Sequence, residues 1–101
     1  MKLKNKNITI KEKSWLALLA AKKMRCHSVA MVLGKTIHLH NISKQDFLAD
    51  ERLVKHEFCH VRQYQQNGYI GFLIKYLWES YRRGYYNNKF EAEARRAEEE
   101  G

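Results

Sequence analysis

The sequence lacks proline, and its 101 residues include only five glycines and two cysteines. Two cysteines do not build a disulfide framework, so Cys26 and Cys59 are expected to be free thiols in a reducing compartment. Long apolar runs are also missing: the longest, 14–21 and 68–74, are far shorter than the about 20 residues that a membrane-spanning helix needs. A signal peptide has an apolar segment after its basic start, whereas here the basic start is followed by further charged residues, which argues against a signal peptide. These absences predict a soluble, cytoplasmic protein.

Acidic residues are in the minority: 11 Asp and Glu stand against 19 Lys and Arg, which gives a net charge of +8. Residues 1–25 carry eight of the basic residues and only one Glu. A basic surface attracts nucleic acid, anionic lipid or acidic substrates. We expect this basic N-terminal region to contact an anionic surface. Nucleic acid is not the expected partner, because no motif of a nucleic-acid-binding fold accompanies the charge.

Apolar residues make up 45% of the chain and aromatic residues 12%, which suffices for one small core and predicts one domain over 1–101. Residue patterns predict an α+β fold. Thr9 with Glu12, and Ser43 with Asp46, have the spacing of helix-capping residues. The predicted elements are a helix at 10–24, an antiparallel hairpin of strands 27–33 and 36–41 with one buried face, a helix at 44–66 that can break near 49–50, an amphipathic helix at 70–81, a break at 84–88 and a last helix at 89–99.

The most specific motif is HExxH, read as His56-Glu57-Phe58-Cys59-His60 within the predicted helix at 44–66. Residues four apart lie on the same side of a helix, one turn from each other, so both imidazoles can reach one Zn²⁺. Glu57 is offset by about 100° and does not join them as a ligand. Its carboxylate is instead placed to take a proton from a metal-bound water. The motif therefore predicts a zinc site with His56 and His60 as ligands.

A catalytic zinc takes three protein ligands, and the sequence leaves the third open. Gln66 stands where a longer form of the motif would carry a third histidine. Later carboxylates are candidates: Glu79, Glu91, Glu93 and Glu98. Spacing does not choose among them, because Glu91 would equally pair with Arg95 on a solvated helix. Cys59 also has ligand chemistry, although a small core thiol is the simpler interpretation.

Three segments together resemble the gluzincin metallopeptidases: HEFCHVRQYQQNG (56–68), the aromatic amphipathic helix after it, and NNKFEAEA (87–94). In size the chain is similar to the minigluzincins, single-domain soluble proteins that are similar to the catalytic cores of integral-membrane prenyl-protein endopeptidases and antibiotic-sensor peptidases. The resemblance covers roughly residues 27–98. It implies that Glu91, which begins the family's ExxA motif, is the third zinc ligand. Arg95 stands where the family often has an aspartate, and Glu93 stays as the alternative ligand.

This resemblance also implies a function, a zinc-dependent endopeptidase acting on a peptide or protein substrate. Glu57 would pass a proton from the zinc-bound water to the leaving amine. The family's upper-rim strand, which binds substrate backbone, matches 36–41 by position. Small members are latent, which implies that the acidic tail at 98–101 blocks the cleft, whereas a solvated terminus is the simpler interpretation. The sequence does not rank the candidate oxyanion donors, which are Tyr76, Tyr81, Tyr85, Tyr86, His38 and His40.

Two other functions fit parts of the sequence. A basic nucleic-acid-binding module would use the net charge, the tyrosines and Arg62, Arg82 and Arg83 for phosphate contact and stacking. A non-catalytic zinc-binding protein would hold the metal in a closed tetrahedral site without labile water. Salt-dependent nucleic-acid binding that does not change with added metal would indicate the nucleic-acid-binding module. Zinc binding without hydrolysis would indicate the non-catalytic zinc-binding protein.

Overall fold

The computed structural model describes residues 8–100, so the basic residues Lys2, Lys4 and Lys6 and the terminal Gly101 lie outside the described part. The fold is α+β, as predicted. Along the described chain the elements are β1 (Thr9–Lys11), α1 (Trp15–Met24), β2 (Val29–Leu33), β3 (Thr36–His40), α2 (Lys44–Ala49), α3 (Glu51–Asn67), α4 (Tyr69–Asn87) and α5 (Lys89–Ala97). None of the helices within residues 8–100 is both long enough and apolar enough to cross a membrane.

The sheet has three strands in the order β1-β3-β2, so the predicted hairpin forms only part of it. β3 runs antiparallel to β2 and parallel to β1, with Ile37 opposite both Val32 and Ile10. The predicted sheet of two antiparallel strands is thus corrected to a mixed sheet of three strands. Because β3 has a partner on each side, its backbone groups are used within the sheet.

The first helix begins five residues later than predicted, at Trp15 rather than at residue 10. Thr9 pairs with β3, and its N–H donates to the carbonyl of Lys35 at 2.9 Å. Its capping pattern with Glu12 is therefore not used. Glu12 instead accepts a hydrogen bond from the backbone N–H of Lys44, at the start of α2. Strand pairing with a segment 27 residues away has overridden a local helix signal.

Both faces of β3 are buried, whereas the sequence predicted one. Ile37 and Leu39 lie in the core, and His38 on the opposite face is also buried. The start of α1 covers that face, because Ser14 lies 2.7 Å from His38 Nδ1. Burial, together with the positive charge of Lys11, lowers the pKa of His38 and favours the neutral ring, whose Nδ1 shares a hydrogen bond with the Ser14 hydroxyl.

Replacing Ser14 with Ala is expected to lower the free energy of unfolding by about 2 kcal/mol. Ser14 is buried, its side chain caps α1 by accepting from the N–H of Ala17, and its loss leaves a buried imidazole nitrogen without a partner. Ser43→Ala is the matched control, since Ser43 caps α2 through Asp46 but is exposed, and about 1 kcal/mol is expected. Urea denaturation measures both variants. Equal losses would contradict a special role for the Ser14–His38 contact.

The helical part follows the sequence closely. The break at 49–50 is present, Asp50 caps α3 through the N–H of Leu53, and Gly68 ends α3 with a φ of 78°. The predicted break at 84–88 is corrected to a bend: α4 changes direction at Gly84, whose φ is 80°, and continues to Asn87, because one non-helical residue suffices for the bend. α3 packs against the sheet, α4 and α5 around the main core. That core is formed by Val32, Ile37, Leu39, Phe47, Val54, Val61, Tyr64, Phe72 and Phe90.

Candidate metal centre

The HExxH residues lie in the middle of α3, on the side that faces α5. His56 and His60 each direct Nε2 to the same oxygen of Glu91, Oε1, at 3.2 Å. Their rings are 5.1 Å apart between centroids and nearly perpendicular. The ligand atoms of the three residues all lie within 4.8 Å of one another. Of the four downstream carboxylates that the sequence left open, the structure brings only Glu91 to the nitrogen atoms of both histidines.

The residues fit a zinc ion by their chemistry and spacing. Two imidazole nitrogens and one carboxylate oxygen form a donor set that catalytic zinc sites use. Ligands about 2.0–2.1 Å from a tetrahedral zinc are roughly 3.3 Å from each other, close to the 3.2 Å contacts of Glu91. All three side chains are largely removed from solvent, and they line one wall of an open cleft. A fourth position toward the cleft would stay accessible to water.

Asn88 holds the turn that carries Glu91 in place, a role that the sequence alone did not indicate. It is fully buried and caps α5 by accepting from the N–H of Phe90 at 2.8 Å. Its amide also donates to the carbonyl of Tyr76 and to the Ser80 hydroxyl on α4, at 3.0 and 2.9 Å. The first turn of α5, which carries Glu91, is thereby locked against α4. An Asn between a chain break and a new helix is the only sequence signal for this role.

The far nitrogen of each imidazole also has a partner. His60 Nδ1 donates to Gln63 Oε1 at 2.8 Å, and Gln63 in turn donates to the carbonyl of Phe90 and to Glu93. His56 Nδ1 lies 2.7 Å from a carboxylate oxygen of Glu98. Such outer contacts fix the ring orientation and leave Nε2 free to bind a metal. Gln63 was not anticipated, because its spacing of three from His60 is common on any helix.

The other candidate carboxylates have different partners. Glu93 accepts from Gln63 at 2.6 Å, and Glu79 accepts from the backbone N–H of Lys89 at 3.1 Å. Neither belongs to the three-residue cluster. Arg95 donates to the carbonyl of Tyr86 rather than pairing with Glu91. Where the family pattern would place an aspartate at 95, the carboxylate that contacts a histidine comes from Glu98, one turn further along.

Glu57 is buried beside the cluster, and its Oε1 has no hydrogen-bond partner among the described residues. Burial raises the pKa of Glu57 to about 8; the positive charge of His60 opposes the shift, and the carboxylates of Glu91 and Glu98 add to it. A buried acceptor without a partner is rare in proteins and needs an explanation. A water held next to the three ligands would supply the missing donor.

Cys59 packs as a core side chain rather than as a ligand. It is buried with Ala94 and Ala97 where α3 meets α5, and Gln63 Nε2 lies 3.6 Å from its sulfur. Burial raises the pKa of the Cys59 thiol, which favours the protonated form. The small alanines let the two helices approach closely, which brings Glu91 within reach of both histidines.

Among the six candidate oxyanion donors, two tyrosines lie near the cluster. Tyr76 donates its hydroxyl to Glu91 Oε2, so it orients the carboxylate and leaves Oε1 for the histidines. Tyr85 lines the same cleft, and burial together with the charges of Glu91 and Glu57 raises the pKa of its hydroxyl. The other four do not line this cleft: Tyr81, Tyr86, His38 and His40.

The cleft has a volume of about 690 Å³ and lies between β2, the end of α1 and helices α3 and α4. Its strand wall is β2, not the strand at 36–41 that the sequence matched to the family's upper rim. The prediction that the strand at 36–41 forms the rim was wrong, because β3 is the central strand and has a neighbour on each side. Within the described chain, β2 pairs with β3 alone, so its outer edge can receive an extended backbone.

The acidic tail packs against α3. Arg52 donates to both Glu98 and Glu99, at 3.1 and 2.8 Å, and Lys55 contacts the carbonyl of Glu100. Glu98 lines the cleft next to His56. Within residues 98–100, Glu98 is thus the one that borders a candidate ligand, while Gly101 lies outside the described residues. Whether the tail makes the protein latent stays a prediction.

The three ligands are coupled electrostatically. Burial lowers the pKa of His56 and His60, but hydrogen bonds and the negative charge of Glu91, helped at His56 by Glu98, outweigh burial and raise both pKa values. At Glu91, burial opposes ionisation, and the hydrogen bonds from His56, His60 and Tyr76 outweigh it, so the pKa falls well below its usual range. Without metal, the ionised Glu91 therefore stabilises the protonated forms of both imidazoles.

The metal-free protein is expected to lose stability as the pH rises from about 4.5 to about 8, the unfolded and folded pKa values of Glu57. In this interval the folded protein binds more protons than the unfolded chain, because the folded pKa values of Glu57, His56 and His60 are raised above their unfolded values. The lowered pKa of Glu91 affects stability only below its usual value of 4.5. The expected fall is on the order of 3 kcal/mol, measured by urea denaturation in chelator. Glu57→Gln should flatten the profile, and an unchanged slope in that variant would contradict the assignment.

No family model matches this chain, and neither a curated protein nor a solved structure shows significant similarity to it.

Proposed function

We propose that the protein is a zinc-dependent metallopeptidase of the gluzincin type, with His56, His60 and Glu91 as the metal ligands. The observation that carries the proposal is the meeting of both HExxH histidines at one carboxylate oxygen of another helix, with a buried, unpartnered Glu57 beside them. Structural zinc sites are closed by four protein ligands. Here three donors face a cleft, which favours catalysis.

When bound, Zn²⁺ would act as a Lewis acid that polarises a scissile carbonyl and lowers the pKa of a coordinated water. Glu57 acts as the general base and then as the general acid: its carboxylate takes the proton of the attacking water and returns it to the leaving amine. The pKa of about 8 applies to Glu57 when no cation is bound at the three ligands. A positive charge at the ligands would lower this pKa and give the ionised base.

Two other groups complete the proposed reaction. The Tyr85 hydroxyl is the proposed donor to the oxyanion: it lines the cleft next to Glu91, and burial together with the charge of Glu91 raises its pKa and keeps it protonated, whereas Tyr76 is held by a direct hydrogen bond to Glu91 Oε2. The free edge of β2 binds the extended peptide backbone and presents it across the ligands. Specificity would then come from side-chain pockets of the cleft, whose walls are mostly apolar.

Metal content and hydrolysis test the proposal together. The purified chain is loaded with Zn²⁺ and dialysed, and the metal-to-protein ratio is measured by mass spectrometry. A ratio near one, lost in His60→Ala, and cleavage of a quenched fluorescent peptide library that a chelator stops and Zn²⁺ restores are the expected results. A ratio near zero would contradict the metal site. Stoichiometric zinc without hydrolysis would leave a non-catalytic zinc-binding protein.

A further inference from the structure

One side of α4 presents large apolar side chains to solvent. We call it the outer face of α4; its members occupy an arc of about 100° around the helix axis. They are between 57% and 84% exposed. The outer face is formed by Ile70, Ile74, Leu77, Trp78 and Tyr81. A contiguous exposed patch of this kind marks an interaction site far more often than a scattered set of apolar side chains does.

The outer face is not needed to hold α4 in the fold. Phe72 and Glu79, on the opposite side of the helix, are the buried residues of α4. Phe72 packs against Tyr64 and Phe90, with ring centroids 4.4 and 4.9 Å away. α4 is thus apolar on two sides, and only one of them is used by the core.

Cations, and no carboxylates, lie along one edge of the outer face. Lys75 and Arg82 follow the edge of the apolar arc, and the Arg82 guanidinium lies 6.0 Å from the centre of the Trp78 ring. Trp78 and Tyr81 stack at 6.1 Å. Glu79 is the only acidic residue in the sequence of α4; it is buried, and it pairs with Arg83 at 3.5 Å. The exposed surface of α4 is therefore apolar, aromatic and positively charged.

We propose that the outer face of α4 docks the protein on the surface of an anionic lipid bilayer. Aromatic side chains next to Lys and Arg are the combination that settles at the boundary between lipid headgroups and acyl chains. Ile70, Ile74 and Leu77 would enter the apolar layer, while Lys75 and Arg82 contact lipid phosphates. The net charge of +8 adds long-range attraction to a negative membrane.

Charge favours a bilayer over a second copy of the chain. In a symmetric dimer whose two α4 helices pack antiparallel, the cationic edges lie on the same side, so Lys75 and Arg82 of one protomer would approach the same cations of the other. No exposed carboxylate of α4 would compensate them. An anionic lipid surface satisfies the cations and covers the apolar side chains at the same time.

Docking would bring the cleft to the membrane. Leu77 belongs to the outer face and also lines the cleft that holds His56 and Glu91. The cleft mouth would then open beside the bilayer surface. This proposal does not rest on metal binding or hydrolysis, so it stands or fails separately from the proposed function.

Tryptophan fluorescence with lipid vesicles tests the proposal. Trp15→Phe leaves Trp78 as the only tryptophan of the chain. With vesicles of phosphatidylcholine and about 30% phosphatidylglycerol, the emission of Trp78 should shift to the blue, and the protein should sediment with the vesicles. Binding to pure phosphatidylcholine vesicles should be at least about tenfold weaker, and 0.5 M salt, as an approximate working value, should weaken binding to the anionic vesicles.

Variants separate the two contributions. In the full chain, Ile74→Gln with Trp78→Gln should lower the partition coefficient at least about tenfold, because apolar area is lost. Arg82→Glu should weaken binding to anionic vesicles only. Leu48→Gln, at an exposed apolar residue of α2, is the matched control and should bind like the unchanged protein. Circular dichroism melting checks that each variant is folded.

Three results would overturn the proposal: no vesicle binding by the folded protein, equal binding by the outer-face double variant, or equal binding to neutral and anionic vesicles. Sedimentation equilibrium adds a fourth. A dimer in lipid-free buffer that the double variant converts to a monomer would assign the outer face to a second copy instead.

Discussion

Glu57→Gln is expected to keep zinc at about one ion per chain and to lower peptide hydrolysis by about 10²–10⁴-fold. The amide has the shape of the carboxylate but cannot take a proton from water. Because Glu57 is not one of the three clustered ligands, its replacement leaves the donor set unchanged. Turnover should therefore fall while the metal-to-protein ratio does not. The two quantities are measured on the same preparation, by mass spectrometry and by the fluorescent peptide assay.

Glu51→Gln is the matched control for this prediction. Glu51 lies in the first turn of the same helix and is exposed, so the variant removes the same charge from α3 without touching the site. It should retain full activity. If Glu57→Gln were as active as Glu51→Gln, another group would have to be the base. The buried, unpartnered Oε1 would then need a different explanation.

The pair of histidines could be predicted because its geometry is local. Four residues of helix fix the relation between His56 and His60 whatever the rest of the chain does. Glu91 is different, because only the docking of α5 on α3 brings it there. The sequence alone left several carboxylates open, and the family resemblance selected Glu91. The roles of Asn88 and Gln63, which hold this arrangement together, could not be predicted, because polar residues on helices have many ordinary roles.

Local signals failed where a distant segment competed for the same backbone. Ser43 caps a helix as predicted, and Thr9 does not, because the N–H of Thr9 pairs with the Lys35 carbonyl beside β3. The strand at 36–41 was expected at the rim of the cleft, but parallel pairing with β1 makes it central. The pairing of β1 with β3 is a tertiary contact, and neither a capping pattern nor an alternation of apolar residues predicts it. Likewise, the periodicity of α4 showed an apolar stripe without showing that the core uses the other side.

Glu91→Gln is expected to weaken zinc binding on the order of 10³-fold or more. Loss of an outer contact to a ligand typically weakens binding 10–100-fold, and loss of a ligand charge should exceed that. A neutral amide oxygen is a poor zinc ligand, and it would leave two imidazoles to hold the ion. Asn88 and Tyr76 would still position the side chain, so the change tests charge and not geometry. Competition with a fluorescent chelator measures the affinity.

Glu93→Gln distinguishes the two carboxylates that the sequence could not separate. Glu93 accepts from Gln63, two steps from the metal through His60, so its variant should bind zinc within about tenfold of the unchanged protein. If Glu93→Gln lost zinc and Glu91→Gln kept it, the ligand assignment would be reversed. If both kept it, the histidines would bind zinc with a third group outside the cluster. A large loss confined to Glu91→Gln is the result that the 3.2 Å contacts to both histidines predict.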